Sequence, residues 1–325
     1  NTTAADNSGF GYRALKANTT GVKNTALGSY ALTTNTVAED NTAVGYNSLG
    51  VNITGNGNVA VGAYALDANT ASYNTAVGRA ALGANSSGSQ NVALGTFSLD
   101  ANTTASNNTA VGYATLTANV TGSENTAVGR QALAANTASN NTGVGYDALA
   151  ANSSGTQNVA IGSKALDANT TASNNSAVGY HALGLNTSGT RNVAFGSLTL
   201  DANTTGYDNS AAGFASLGSN TTGVSNSAFG SYALDSNTTA SNNTAVGANA
   251  LGLNSTGTQN VAVGAGALDA NTTASYNSAV GNGALGANVV GAGNTALGRS
   301  ALGVNTASYN TAVGYNSLSS NVTAT

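Results

Sequence analysis

The chain of 325 residues contains no cysteine, proline, methionine or tryptophan, and a single histidine, His181. Without cysteine there is neither a disulfide nor a thiolate to hold a metal, an absence compatible with secretion but not diagnostic of it. One histidine offers neither a catalytic triad nor a metal cluster. Charge is equally scarce: 6% of residues are charged, against about 25% in typical soluble proteins. The eight Lys plus Arg stand singly and the formal net charge is −4, which supplies no clustered cations for a phosphate backbone and argues against a nucleic-acid partner. No long apolar run is present, so no membrane insertion of this segment is expected, and no signal peptide precedes Asn1. Carboxylates are not paired at catalytic spacing, and turns such as Gly286–Gly291 lack the Lys and strand-to-helix setting of a phosphate loop. The expectation is a protein that is not an enzyme and needs no cofactor or metal.

What fills the chain is a repeat. A five-residue signal, as Asn158-Val159-Ala160-Ile161-Gly162 or Asn41-Thr42-Ala43-Val44-Gly45, recurs nineteen times, first at Asn7 and last at Asn310, with a spacing of 17 residues and three gaps of 16. A strict short period marks stacked units, each too small to bury its own apolar face. The expected fold is an all-β β-solenoid, a two-layer β-roll of nineteen 17-residue coils forming one domain over residues 1–325 with no terminal caps evident. At about 4.8 Å per coil it would be a rod of roughly 90 Å. Ala and Leu favour helix, but each repeat spends Gly and two Asn on turn chemistry, which decides for strand.

Counting the first Asn as place one, Gly holds place five, Leu place nine and a second Asn place twelve in all nineteen repeats. Place four is mostly Val, with Phe195 and Phe229 among the variants; place two is Thr, Ser or Val; place three is Ala except at Gly9 and Gly143. Because strand side chains alternate, places two and four are expected to face the core. Ala at place three is then expected outside, where a small-residue face suits a close homomeric contact. Leu at place nine, with place eleven, is expected to form the inward face of a second short strand. The two Asn columns are expected to stack into side-chain amide ladders.

A second period of two coils is also present. Gly stands at place fifteen of odd coils, and Asp at place ten occurs only in even coils: Asp67, Asp100, Asp167, Asp201, Asp235 and Asp269. A 34-residue physical coil would stack these carboxylates directly, which like charges resist, so 17 is preferred; a Ca²⁺ ladder would be the rescue for the longer coil.

The Asn-Val-Ala-Ile-Gly motif resembles the head repeat of YadA-like trimeric autotransporter adhesins, and similar repeats occur in phage tail-fibre proteins. The resemblance covers all nineteen repeats at motif level; the coil is longer here, and no neck, stalk or anchor follows. It implies an extracellular or cell-surface, non-enzymatic fibre or adhesin that assembles with copies of itself, head to tail or as a trimer.

Two rows are candidate sites. Tyr12, Tyr46, Tyr113, Tyr146, Tyr180 and Tyr315 share place six, and an amphipathic ring there suits protein or cell-surface glycan contacts, the alternative being a ridge that only braces neighbouring coils. Arg79, Arg130 and Arg299, at the same place, are read as serving solubility. The place-twelve Asn opens an Asn-x-Ser/Thr sequon in fourteen coils, at Asn18, Asn52, Asn85, Asn102, Asn119, Asn152, Asn169, Asn186, Asn203, Asn220, Asn237, Asn254, Asn271 and Asn321, candidate glycosylation sites; the same Asn at Asn35, Asn69, Asn136, Asn288 and Asn305 without a sequon favours a turn and ladder role. Glycan binding and ice binding are the alternative functions, and the expected inward direction of the place-two Thr counts against ice.

Overall fold

The computed structural model describes residues 3–321. Each repeat contributes one three-residue parallel strand over places two to four, the first Ser8–Phe10 and the last Thr311–Val313. The chain is an all-β parallel β-solenoid, with no helix among the described residues. Its strands fall into two compact halves, residues 1–158 with nine strands and 159–325 with ten. Within each half every strand pairs with the next repeat in exact residue register, as Thr109↔Thr126 and Val111↔Val128 in the first and Val261↔Ser278 and Val263↔Val280 in the second. Pairing across 17 residues, or 16 in a shortened coil such as Val59↔Thr75, fixes the physical coil at one repeat. The Asp residues of place ten are thereby kept two coils apart.

The direction of the strand side chains is the reverse of the expectation. Ala at place three is the buried residue, fully shielded at Ala43, Ala110, Ala177 and Ala245, whereas Phe195, Phe229, Ile161 and Leu27 at place four are exposed. The reason is volume. Leu at place nine fills the interior of every coil from Leu32 to Leu302, with Ala, Ser or Thr at place eight beside it. A Cβ built on Gly143 at place three would lie 3.2 Å from Leu133 Cγ and 3.1 Å from the Ala148 carbonyl. Only a small side chain fits opposite that leucine, so the larger place-four residue is turned outward. The small-residue face is therefore core, not an interface.

Nor does Leu lie on a second strand. Places five to ten are two overlapping turns, closed in the first coil by Ala14 N–H to the Gly11 carbonyl at 3.2 Å and Lys16 N–H to the Arg13 carbonyl at 3.3 Å. Their third residues, at places seven and nine, have positive φ in every coil, with the leucines between 46° and 54°. That is the sign pattern of type II turns, which ordinarily ask for Gly or Asn there. A left-handed leucine costs about 1–2 kcal/mol, and burying its side chain returns about 1.5–3 kcal/mol, so burial holds the turn. These turns also pair coil to coil, as Leu32 N–H to the Ser48 carbonyl at 3.1 Å and Val51 N–H to the Asp67 carbonyl at 3.1 Å. The second layer is a stack of turns with its own backbone ladder.

Gly at place five is required twice over. Gly112 has φ of 136°, and a Cβ there would stand 2.6 Å from the carbonyl oxygen of Gly129 in the next coil. The left-handed conformation and the close approach both admit only glycine.

Candidate functional site

The most regular chemistry is inside the coil, in two Asn columns. At place twelve, Asn35 Nδ2 donates to Asn18 Oδ1 at 2.8 Å and Asn203 Nδ2 to Asn186 Oδ1 at 2.8 Å, each amide bonding its counterpart one coil away. At place one, the side-chain oxygen instead accepts the backbone N–H of the next coil's Asn, as Asn58 N–H to Asn41 Oδ1 at 2.9 Å. Both columns converge on one carbonyl. Gly88 O accepts Asn85 Nδ2 and Asn74 Nδ2, each at 2.8 Å. In the 16-residue coils the carbonyl of Ala71 takes that part, accepting from Asn69 and Asn58. The missing residue is thus removed from the turn without losing the acceptor.

This geometry decides the sequons. Asn18, Asn52, Asn85, Asn102, Asn119, Asn152, Asn169, Asn186, Asn203, Asn220, Asn237, Asn254 and Asn271 are all buried, and amides such as Asn102 Nδ2 are spent on hydrogen bonds to Asn85 and Ala105. A folded coil has no room for a glycan on those nitrogens. Asn321 is half-buried, and the rest of its sequon, Val322 and Thr323, lies outside the described residues. Two rungs of the ladder are broken, both at shortened coils: Asn69 and Asn136 turn their amides to the Ala71 and Ala138 carbonyls. Asn52 Oδ1 then accepts the Gly55 N–H at 3.1 Å, whereas Asn119 Oδ1 is left buried without a partner.

The tyrosines of place six stand at the corner after the strand and are exposed: Tyr12, Tyr46, Tyr113 and Tyr146 in the first half, Tyr180 and Tyr315 in the second. Each is braced by a ring or a guanidinium. Tyr12, Tyr30, Tyr46 and Tyr64 run edge to face with centroids 5.4, 5.9 and 5.3 Å apart. Tyr113 meets Phe97 at 6.4 Å, and Tyr180 meets His181 at 4.6 Å. Arg130 lies 5.5 Å from the Tyr146 centroid and Arg299 5.8 Å from that of Tyr315, while Arg79 covers Phe97 at 5.2 Å. The place-six arginines therefore cap aromatic rings, a contact that sequence reasoning missed and that their shared place beside a ring one coil away would have revealed.

The place-ten carboxylates are half-buried, and those of Asp67, Asp201, Asp235 and Asp269 fold over the place-ten glycine of the preceding coil. Asp235 Oδ1 and Asp269 Oδ1 approach Gly218 and Gly252 so closely that a Cβ there would be 2.9 and 2.8 Å away. Desolvation raises the pKa of Asp67, Asp100, Asp201, Asp235 and Asp269 above the usual carboxylate value. At Asp67 the Asn47 amide opposes that rise, and at Asp201 His181 does, its Nδ1 being 3.5 Å from Oδ1. Asp235 and Asp269 share a small pocket of about 120 Å³ with Tyr232, Ser236, Asn249, Gly252 and Leu253. Among the described residues no three His, Cys, Asp or Glu gather as a metal site, and no helix is long and apolar enough to cross a membrane.

A further unassigned surface is the outward strand face. Places two and four carry no charged residue in any coil. In the first half, from Thr25–Leu27 to Thr142–Val144, eight successive strands present only Thr or Val at place two and Val or Leu at place four. In the second half the face is more uneven, with Phe195 and Phe229 on either side of Ala212. No protein-family model matches the chain, and no curated protein is significantly similar to it.

Proposed function

We propose that the chain is a non-enzymatic structural element of an extracellular fibre or adhesin, which associates with copies of itself through the outward strand face. The observation that carries this reading is the uncharged outward strip formed by places two and four, in which Leu27, Leu94, Ile161, Val193, Phe195, Val261 and Phe229 are exposed apolar side chains among Thr, Ser and Val. Nine or ten three-residue strands make a strip of roughly 400 Å² in each half. Patches of that size on a soluble monomer are commonly interaction sites. A stable interface needs about 800 Å² per partner, so the strip of one half by itself gives weak association. The extracellular placement is supported by the resemblance to adhesin heads and is compatible with the absence of cysteine.

The reading is tested by electron microscopy of the purified chain beside a Val77→Lys, Val111→Lys, Val144→Lys variant. Fibres or paired particles from the native chain and single particles from the variant support it; identical single particles from both overturn it.

A second reading is favoured by the same correction of strand direction. Six Thr and two Val stand outward at place two in the eight regular strands of the first half, which removes the objection to ice binding. Thermal hysteresis of the dilute chain, lost on Thr109→Lys, is its readout.

A further inference from the structure

The aromatic rings of place six follow the two-coil period. In the first half they occupy the odd coils, as Tyr12, Tyr46, Tyr113 and Tyr146, while the even coils carry Ser29, Ala63, Thr96 and Arg130 there. Strands of successive coils pair in register, so rings two coils apart are separated by about 9.6 Å, twice the strand spacing. Arg79 holds the one odd coil between them that lacks a ring, dividing the row into two pairs, Tyr12 with Tyr46 and Tyr113 with Tyr146. Each ring is 42–60% exposed and is held by a neighbour: Tyr30, Tyr64, Phe97 or the Arg130 guanidinium. Tyr12 has in addition the Arg13 guanidinium 5.1 Å from its centroid, and Tyr46 meets Tyr30 as well as Tyr64. Tyr113 and Tyr146 have one partner each, which occupies at most one face, so another face of each is left for a ligand, and a ring already fixed in place loses little freedom on binding.

From this spacing we infer that the Tyr113 and Tyr146 pair is a binding platform for an extended, neutral, β-1,4-linked polysaccharide, with one tyrosine beneath every second sugar. In such a chain successive pyranose rings are turned over, so the same apolar C–H face recurs once per disaccharide, a step close to the two-coil separation. The C–H face stacks on the tyrosine and the sugar hydroxyls reach Tyr hydroxyls and the place-seven amide of Gln131 in the coil between the two rings. α-Linked glucans, which coil, do not keep this step. The site lies on the corner after the strand and is independent of association through the strand face.

The test uses the full chain and cello-oligosaccharides of two to six sugars, followed by tyrosine fluorescence, which no tryptophan obscures, and by calorimetry. Affinity is expected to rise at least 10-fold between the disaccharide and the trisaccharide, the first length that places a sugar on each of two rings. Tyr113→Ala with Tyr146→Ala is expected to weaken hexasaccharide binding at least 10-fold, Tyr113→Phe with Tyr146→Phe to retain most of it, and Tyr73→Ala, an exposed tyrosine outside the row, to leave it unchanged. Absence of binding, no step in affinity with length, or equal binding of maltohexaose overturns the inference. So does undiminished binding by a folded Ala variant; were that variant unfolded, the length series on the native chain decides alone.

Discussion

The side-chain amide of Asn102 donates to Asn85 Oδ1 at 2.7 Å and, at 3.1 Å, to the Ala105 carbonyl of its own coil, while accepting from Asn119 at 3.3 Å. One residue thus ties two neighbouring coils and closes its own turn, with no exposed atom. A core of Ala and a single Leu per coil is too thin to fold alone, and leaving a buried polar group unpaired costs about 1–3 kcal/mol. The Asn columns turn that liability into the link between coils.

Replacing Asn102 by Ala removes both donated bonds and strands the Asn85 oxygen. The expected loss is about 2–3 kcal/mol, read as a lower denaturation midpoint, with faster amide exchange concentrated in the coils on either side. Little change in exchange there would show that the ladder is decorative.

At place five the prediction is harsher. Gly112→Ala forces a Cβ into a φ of 136° and to within 2.6 Å of the Gly129 carbonyl. A loss of about 3 kcal/mol or more is expected, because neither backbone can move without breaking the strand ladder.

Place seven predicts the opposite sign. Lys164 adopts φ of 58° in a turn where Gly266 and Gly283 hold the same place in later coils. Lys164→Gly relieves the left-handed cost of about 1–2 kcal/mol and gives back about 0.5–1 kcal/mol in unfolded-chain entropy. A net gain of several tenths to about 1 kcal/mol in chemical denaturation is the expected outcome.

The carboxylate row sets the pH dependence. Asp235 and Asp269 have pKa values raised by desolvation alone, so the folded state binds their protons more tightly than the unfolded state does. Their contribution is fully present below the unfolded carboxylate pKa and is lost as pH rises through the folded one. Denaturation midpoints should therefore increase on mild acidification from neutral pH, and Asp235→Asn with Asp269→Asn should flatten that slope. Asp208, lowered by its hydrogen bond from Arg191, acts in the reverse direction, but that pair is exposed and moderate salt screens it.

Much of this architecture is legible in the residues themselves. Nineteen occurrences of Asn-x-Ala/Gly-x-Gly give the coil, its length and its single-repeat register, and Asp at alternate coils fits that register because Gly218 and Gly252 lie between Asp201, Asp235 and Asp269. The amide columns follow from Asn at places one and twelve. Which side of the strand is inside does not follow, because hydropathy ranks Val111 above Ala110 and says nothing of the space beside Leu116. Alternation around Leu116 imitates a strand, and only the positive φ of Ala114 and Leu116 shows it to be paired turns. Sequons such as Asn85-Ser86-Ser87 are a pattern without depth, and burial of Asn85 removes their meaning. Of the place-six tyrosines the sequence gives the periodicity, while the bracing by Phe97 and Arg130 needs the coil-to-coil geometry.

The most direct measurement uses the absence of native cysteine. Ala110→Cys and Val111→Cys are prepared singly, and thiol labelling rates are followed from dilute to concentrated protein. The Ala110→Cys thiol, at a position with no exposure, is expected to be protected throughout; the Val111→Cys thiol is expected to react rapidly when dilute and to become protected as copies associate. Fast labelling at 110 would contradict the buried alanine face, and labelling at 111 that is equally fast at every concentration would contradict association through the outward strand face.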